Sequence, residues 1–250
     1  MPTEAGERLR GYAGRLLSEY EGARDDLKGL AGLDTGRLAI GADDTVGVYL
    51  LPKLAGEFRS VAPRVRLAIR ISAPAEFLDA LEWQELDLVM LEDEETPHSR
   101  KGIAFQPLAH DEVVLFVPSH HPLAARGEVS PSELLEHSLV SREEGSPTRG
   151  LVLARLADAG VPVTYLDNPL QLGNTEAIKR AVQAGLGFGF ASRFAIEQEV
   201  SLGLFSIVKI HGVTMDRKLW IATRQSAHPK ERLVRFTRFL FDTFNPGPHG

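Results

Sequence analysis

The 250-residue sequence contains no cysteine, so a disulfide framework, a thiolate metal site and a cysteine nucleophile are all excluded. It has no apolar run long enough to span a bilayer, which leaves no membrane role to expect. Its first stretch, MPTEAGERLRGYAGRL, mixes acids with bases and lacks the apolar centre of a secretory signal, so a cytoplasmic protein is expected. A surplus of positive charge is missing too. The formal net charge is −6, and a compact acidic domain is poorly suited to grip nucleic acid by its own surface. Neither a Gly-x-Ser-x-Gly elbow nor a P-loop occurs. GLGFGF (185–190) follows a helical pattern and enters a strand pattern, the reverse of a dinucleotide loop. The histidines have no metal-ligand spacing, and His120 and His121 would point to opposite sides of an extended segment. No cofactor or resident metal is therefore expected.

What is present is an ordinary globular composition, 43% hydrophobic and 25% charged, enough for one large domain or two smaller ones. Residues 4–32 stand apart. With Gly6, Ala13, Tyr20 and Leu27 at heptad position a, Leu9, Leu16, Ala23 and Leu30 fall at d. That is the narrow stripe of an amphipathic helix, packed on its own domain or paired with a second copy. GLDTG (32–36) ends it. Strand and helix patterns then alternate. Strands are expected at 37–42, 65–71, 86–91, 112–118, 163–166, 188–191, 204–210 and 218–224, and 138–150 reads as a short strand with a Gly/Pro loop. Helices are expected at 45–61 with a kink at Pro52, from Pro74 to about Gln84, at 149–159, from Asn174 to Leu186, at 192–200 and at 229–244. Ser130-Pro131-Ser132-Glu133 is a capping box. The alternation predicts an α/β architecture with mostly parallel sheets, and its reset near 118–130 predicts two lobes.

These segments, in this order, resemble the linker helix and effector-binding domain of LysR-type transcriptional regulators. TEAGERLRGYAGRLLSEYEGARDDLKGL resembles the linker helix, and GRLAIGA with GVYLLPKLAGEFRSVAPRVRLAI resembles the first strand, helix and second strand. ELDLVML, PLAHDEVVLFVPSHHPLA, SREEGSPTR and NTEAIKRAVQAGLGFGFAS follow as further blocks. The resemblance implies a two-lobed, type II periplasmic-binding-protein-like α/β domain preceded by a long linker helix. The linker covers 1–34, regulatory lobe I 35–115 with 212–250, and lobe II 116–211. It implies a small-molecule effector, and self-association as a dimer, or a tetramer when full length. It further implies promoter DNA bound through an N-terminal winged helix-turn-helix that this sequence lacks. Helix 45–61 of one subunit is expected to meet helix 175–186 of another. The alternatives are a solute-binding protein of the same fold, or an α/β enzyme, which no nucleophile–base pair supports.

Carried over residue by residue, the implied effector contacts are Asp43, Asp44 and Thr45; Ser72, Ala73 and Pro74; Ser146 and Thr148; and Asn174 and Thr175. Each group lies at an expected strand-to-helix turn, where backbone N–H groups and a side-chain oxygen can face one ligand. Two departures from the family pattern stand out. Asp43 and Asp44 replace hydroxyl residues, and Ala73-Pro74 replaces an Asn-Ser or Asn-Thr pair. The aspartates either recognise a cationic, amine-bearing or polyhydroxylated ligand, or cap their own helix and need none. Asn174 has the same capping alternative, and Arg149 has an ion pair with Glu143 or Glu144. LEDEETPH (91–98) with Asp43 and Asp44 could supply oxygen ligands to a hard cation, although unpatterned acidic loops are usually only solvated.

Overall fold

A computed structural model of the chain describes residues 36–72, 76–93, 100–162, 164, 170–227 and 229–245, together with scattered residues between 3 and 24. Two compact units are present. Unit 1 takes the described residues in Met1–Glu92, Thr96–Ala109 and Leu219–Gly250, and unit 2 those in Asp93–Glu95 and His110–Lys218.

Unit 1 opens with β1 (Gly36–Ala42), in which only Arg37 is exposed. Such a strand is covered on both faces and reads as an almost continuous apolar run. It pairs in parallel with β2 (Val65–Ile71) and β3 (Leu88–Asp93). Between β1 and β2 the chain forms one π turn (Val46–Leu50) and then helix α1 (Leu51–Val61). The kink expected at Pro52 is thus a widened turn just before it. Proline brings no N–H to the ladder, and the Leu51 N–H bonds five residues back to the Val46 carbonyl. Val46, Leu50, Leu54 and Phe58 are buried as their spacing predicts, but Val61, the last residue of α1, is 48% exposed. Helix α2 (Phe77–Glu82) buries Phe77 and Leu81. The strand β4 (Ile103–Pro118) begins in unit 1 and ends in unit 2, and β10, described below, makes the return.

In unit 2, helix α3 (Pro122–Arg126), strand β5 (Glu128–Val129) and a 3₁₀ turn (Pro131–Glu136) precede β6 (Leu139–Arg142). The capping box forms, since Glu133 accepts from the Ser130 N–H at 2.7 Å, yet what it starts is a 3₁₀ turn. Then come α4 (Pro147–Asp158), β7 (Gln171–Leu172), α5 (Thr175–Gln183), β8 (Phe188–Ser192), α6 (Arg193–Ser201) and β9 (Phe205–Ile210). The expected strand 163–166 lies mostly outside the described residues, and Thr164 sits in a 3₁₀ turn. Leu186 is exposed because α5 stops at Gln183. β10 (Asp216–Arg224) returns to unit 1, where α7 (Glu231–Phe244) packs Phe236 edge-on to Phe58, ring centroids 4.9 Å apart. The strand order is β2-β1-β3-β10-β4 in unit 1 and β4-β8-β6-β7 in unit 2, with β9 on β4 and β5 on β9. In unit 2, β6 pairs in parallel with β7 and β8 while β4 runs antiparallel to β8 and β9, so that sheet is mixed.

Tight packing fixes two further points. Gly187 has φ 146°, and a Cβ there would lie 2.0 Å from the Ser138 carbonyl oxygen, so glycine alone fits where β8 starts. The described residues between 5 and 24 are helical. A Cβ on Gly11 would stand 3.2 Å from the Trp83 indole, and one on Gly14 2.9 Å from the Trp83 carbonyl. The glycine face therefore rests on unit 1. The stripe residues Leu9, Leu16 and Tyr20 stay exposed, while Leu27 and Leu30 lie outside the described residues.

One histidine makes a pH prediction. The His121 Nδ1 accepts the Leu123 N–H at 3.2 Å and so caps α3, and its ring meets His137 with centroids 5.0 Å apart. Burial first, then repulsion from His137 and His120, pushes the His121 pKa down. A group favoured neutral in the fold stabilises fully above its unfolded pKa of about 6.5, and that contribution fades as pH falls toward the folded value. His121→Asn keeps a capping acceptor without titrating. Thermal melts between pH 7.5 and 5 should show a smaller acid loss in this variant; parallel curves for variant and parent would rule the idea out.

Candidate functional site

The end of β1 delivers Asp43, 7% exposed, to the mouth of the following helix. Its Oδ1 accepts the Val46 N–H at 3.1 Å, and its Oδ2 accepts the Glu92 N–H at 2.9 Å from the end of β3. One carboxylate thus caps a helix and pins a neighbouring strand, satisfying two buried donors. Thr45 is buried and Asp44 half-buried in the same turn. Ala42 and Ile71 are register partners, which brings Ser72 beside this turn, with its N–H on the Ala42 carbonyl at 3.2 Å. The Ser72 Oγ is buried and has no hydrogen-bond partner among the described residues. Ala73 and Pro74 lie outside the described residues, as does most of the acidic loop (94–99). Among the described residues, no three His, Cys, Asp or Glu side chains are grouped to hold a metal ion. No helix there is long and apolar enough to cross a membrane.

Unit 2 brings the other four residues to the ends of two adjacent parallel strands. Arg142 of β6 and Leu172 of β7 are register partners, and the helices that follow these strands start at Pro147 and Thr175. Ser146 caps α4, accepting from the Arg149 N–H at 3.5 Å. Asn174 caps α5, accepting from the Ala177 N–H at 2.8 Å. Both caps follow from local sequence, because a short side-chain oxygen just ahead of a helical run answers an otherwise orphaned N–H. Arg142 connects the two helix starts. Its Nη1 donates to Thr175 Oγ1 at 3.1 Å, while its Nε and Nη2 bind the two oxygens of Glu143 at 2.7 and 2.9 Å. Hydrogen bonding from Arg142 is the largest cause holding the Glu143 carboxyl below its usual range. Arg149 donates from Nη1 to Ser141 Oγ at 3.3 Å and to the Arg142 carbonyl at 3.1 Å. Ser141, Arg142, Thr148 and Arg149 line one small cavity floored by Val152 and Phe190. Two guanidinium groups, two hydroxyls and the positive ends of two helix dipoles, against the one carboxylate of Glu143, make this an environment for negative charge.

Behind that cavity lies a buried network absent from the sequence expectations. Arg217, with its side chain 3% exposed, donates Nε to Asp111 Oδ2 at 2.7 Å and Nη1 to Thr148 Oγ1 at 3.1 Å. Asp111 is fully buried and takes the Ser192 hydroxyl on its other oxygen at 2.7 Å. A signal for it exists in the sequence. Asp111 alternates with Val113, Leu115 and Val117, and Arg217 with Leu219 and Ile221, so each charge sits on a core-facing register and requires a partner.

Residues 31–245 match the family described as LysR substrate binding domain. Two relatives, each described as a "Probable RuBisCO transcriptional regulator", come from Emiliania huxleyi and Porphyra purpurea. The first is 32% identical over 240 residues, 96% of this chain and 76% of the relative. The second is 30% identical over 251 residues, 99% of this chain and 78% of the relative. Among solved structures, the regulatory domain of Synechocystis PCC6803 CcmR, in complex with 2-PG, aligns with TM-score 0.72 at 23% identity, covering 84% of this chain and 98% of that one. The effector-binding domain of QuiR in complex with shikimate aligns with TM-score 0.69 at 17% identity, covering 85% and 98%. A full-length OxyR variant from Pseudomonas aeruginosa aligns with TM-score 0.72 at 22% identity, covering 97% and 77%. The shared fold, the family match and the two relatives agree: this chain belongs to the LysR-type transcriptional regulators, and its regulatory part is a type II periplasmic-binding-protein-like effector domain.

Proposed function

We propose that the effector of this regulator is a small anion bearing a carboxylate or phosphate group, received in unit 2. The observation that carries this reading is the grouping of Ser141, Arg142, Thr148 and Arg149 around a cavity of about 10 Å³, room for one water, together with the Arg142–Thr175 bond that joins the group to the start of α5. Arginine forks suit the planar or tetrahedral oxygens of such groups, and helix N-termini add N–H donors. The 2-PG and shikimate bound by two structural neighbours are anions of this kind. Asp43 is the main argument for a cationic ligand, and it loses weight because each of its oxygens already accepts a backbone N–H. Ser72, Asp44 and Thr45, with Ala73 and Pro74, remain candidate contacts from unit 1.

Self-association through α1 of one subunit and α5 of another is part of the same proposal. Val48, Ile69 and Ile71 are exposed beside α1, and Gly47 packs directly on Ile71, so an apolar surface is available there. Titration calorimetry of the whole chain with inorganic phosphate, 2-PG, shikimate and a diamine tests the ligand class. Anion binding that weakens with added salt is the expected result. Binding of the diamine with none of the anions would reverse the assignment.

A further inference from the structure

We infer that Arg217 is a specificity-determining positioning residue, which sets the polarity of the Thr148 hydroxyl and so makes the cavity select ligand atoms that accept hydrogen bonds. The inference rests on the anion reading above and adds to it a residue buried behind the cavity.

A guanidinium has five N–H donors and no acceptor. The 3.1 Å bond between Arg217 Nη1 and Thr148 Oγ1 can therefore run only one way, with the hydroxyl oxygen accepting. A hydroxyl has a single proton, and with a donor-only group on its oxygen that proton must point elsewhere. No other hydrogen bond of this hydroxyl occurs among the described residues, and Thr148 lines the cavity together with Arg142 and Arg149. Thr148 is thus a donor toward the cavity. A carboxylate or phosphate oxygen satisfies it, whereas an ammonium meets a proton with its own.

The setting holds that polarity in place. Arg217 cannot swing away without leaving Asp111 charged and unpaired in the core, because the carboxylate is fully buried and its second oxygen is held by Ser192. Ser192 in turn accepts the Phe194 N–H at 3.2 Å, which commits its own proton to Asp111. In the chain Phe194–Ser192–Asp111–Arg217–Thr148 every donor is fixed: Asp111 accepts from Ser192 on one side and from Arg217 on the other, and Arg217 donates onward to Thr148. Within the same unit, Arg142 Nη1 treats the Thr175 hydroxyl alike at the start of α5.

The test is a mutant cycle on the whole chain, read by calorimetry with 2-PG and with inorganic phosphate. Asp111→Asn/Arg217→Met removes both buried charges together, and Thr148→Val removes the hydroxyl. Each should weaken binding of the bound probe about tenfold, the scale of one hydrogen bond to a charged group. Combining all three substitutions should weaken it no further, since Arg217 acts through Thr148. Arg217→Lys provides a folded control: one ammonium beside Asp111 lacks the span to serve Thr148 as well, so affinity falls while stability is largely kept. Thr148→Ser, which restores the hydroxyl, should bind like the parent. Parent-like affinity in the Asn/Met and Lys variants, or losses that multiply in the triple variant, would overturn the role of Arg217. Failure of the unsubstituted chain to bind either probe would instead overturn the anion reading, before any variant is made.

Discussion

Arg217→Met should destabilise unit 2 by about 3–5 kcal/mol, the usual result of stranding one charge of a buried pair. The pair is Arg217 with Asp111, exposed by 3% and 0% at their side chains and 2.7 Å apart. Removing the guanidinium leaves Asp111 with the Ser192 hydroxyl, one neutral donor for a full charge. Most of the loss belongs to the abandoned carboxylate and only a part to the missing attraction. Asp111→Asn/Arg217→Met should therefore recover the larger share, because two neutral groups of similar volume no longer demand compensation. Both tryptophans, Trp83 and Trp220, fall in unit 1, so their fluorescence is the wrong probe for this change. Hydrogen exchange of the β4 segment 113–117 and of β8 reads unit 2 directly, and both should exchange faster in Arg217→Met than in the double variant. Equal protection in the parent and Arg217→Met would refute the prediction.

That pair also marks where sequence reasoning stops. Ser146 and Asn174 can be read as caps from a few residues of context, since a cap answers N–H groups two or three positions along the chain. Asp111 and Arg217 are 106 residues apart. Alternation shows that each is turned toward the core, but it cannot name the partner, because partner choice depends on which strands become neighbours. The same division holds for the fold. β1 is legible as a near-continuous apolar run and β2 because its apolar residues alternate, although Ile69 and Ile71 prove exposed. The first half of β4 is hidden by Gln106, Pro107 and His110, which suit a partly exposed strand and break the apolar pattern. Pro52 announces a disturbance, yet its form, a π turn ahead of α1, depends on how the helix settles over β2. The capping box at Ser130 fixes where a helical turn begins and does not fix its type.

Asp43→Ala is expected to destabilise unit 1 by roughly 2–6 kcal/mol, from two buried N–H groups left without an acceptor at about 1–3 kcal/mol each. The two donors come from different elements. Val46 starts the turn that leads to α1, and Glu92 lies near the end of β3, so the carboxylate fastens helix to sheet as well as capping the helix. Asp43→Asn should fall between parent and alanine. Its single carbonyl oxygen can serve one N–H, while its amide presents a donor to the other, and no rotation of the side chain satisfies both. This ordering separates the two readings of the aspartate. A residue kept for a cationic ligand would tolerate asparagine with little change in stability and would lose affinity for amines. A residue kept for its own fold would lose stability in the order parent, Asn, Ala, with the anion preference of the chain unchanged. Urea unfolding followed by tryptophan fluorescence suits this case, because Trp83 and Trp220 share the unit of Asp43. Asparagine matching the parent in midpoint, together with a shift in amine binding, would return Asp43 to the ligand. The helix mouth after β1 is filled from within by Asp43, whereas at α4 and α5 the caps are neutral and arginines stand beside them. A carboxylate built into the first helix start and two guanidinium groups beside the other two, against the single carboxylate of Glu143 held by Arg142, are opposite electrostatic choices, and the second has the surplus of positive charge.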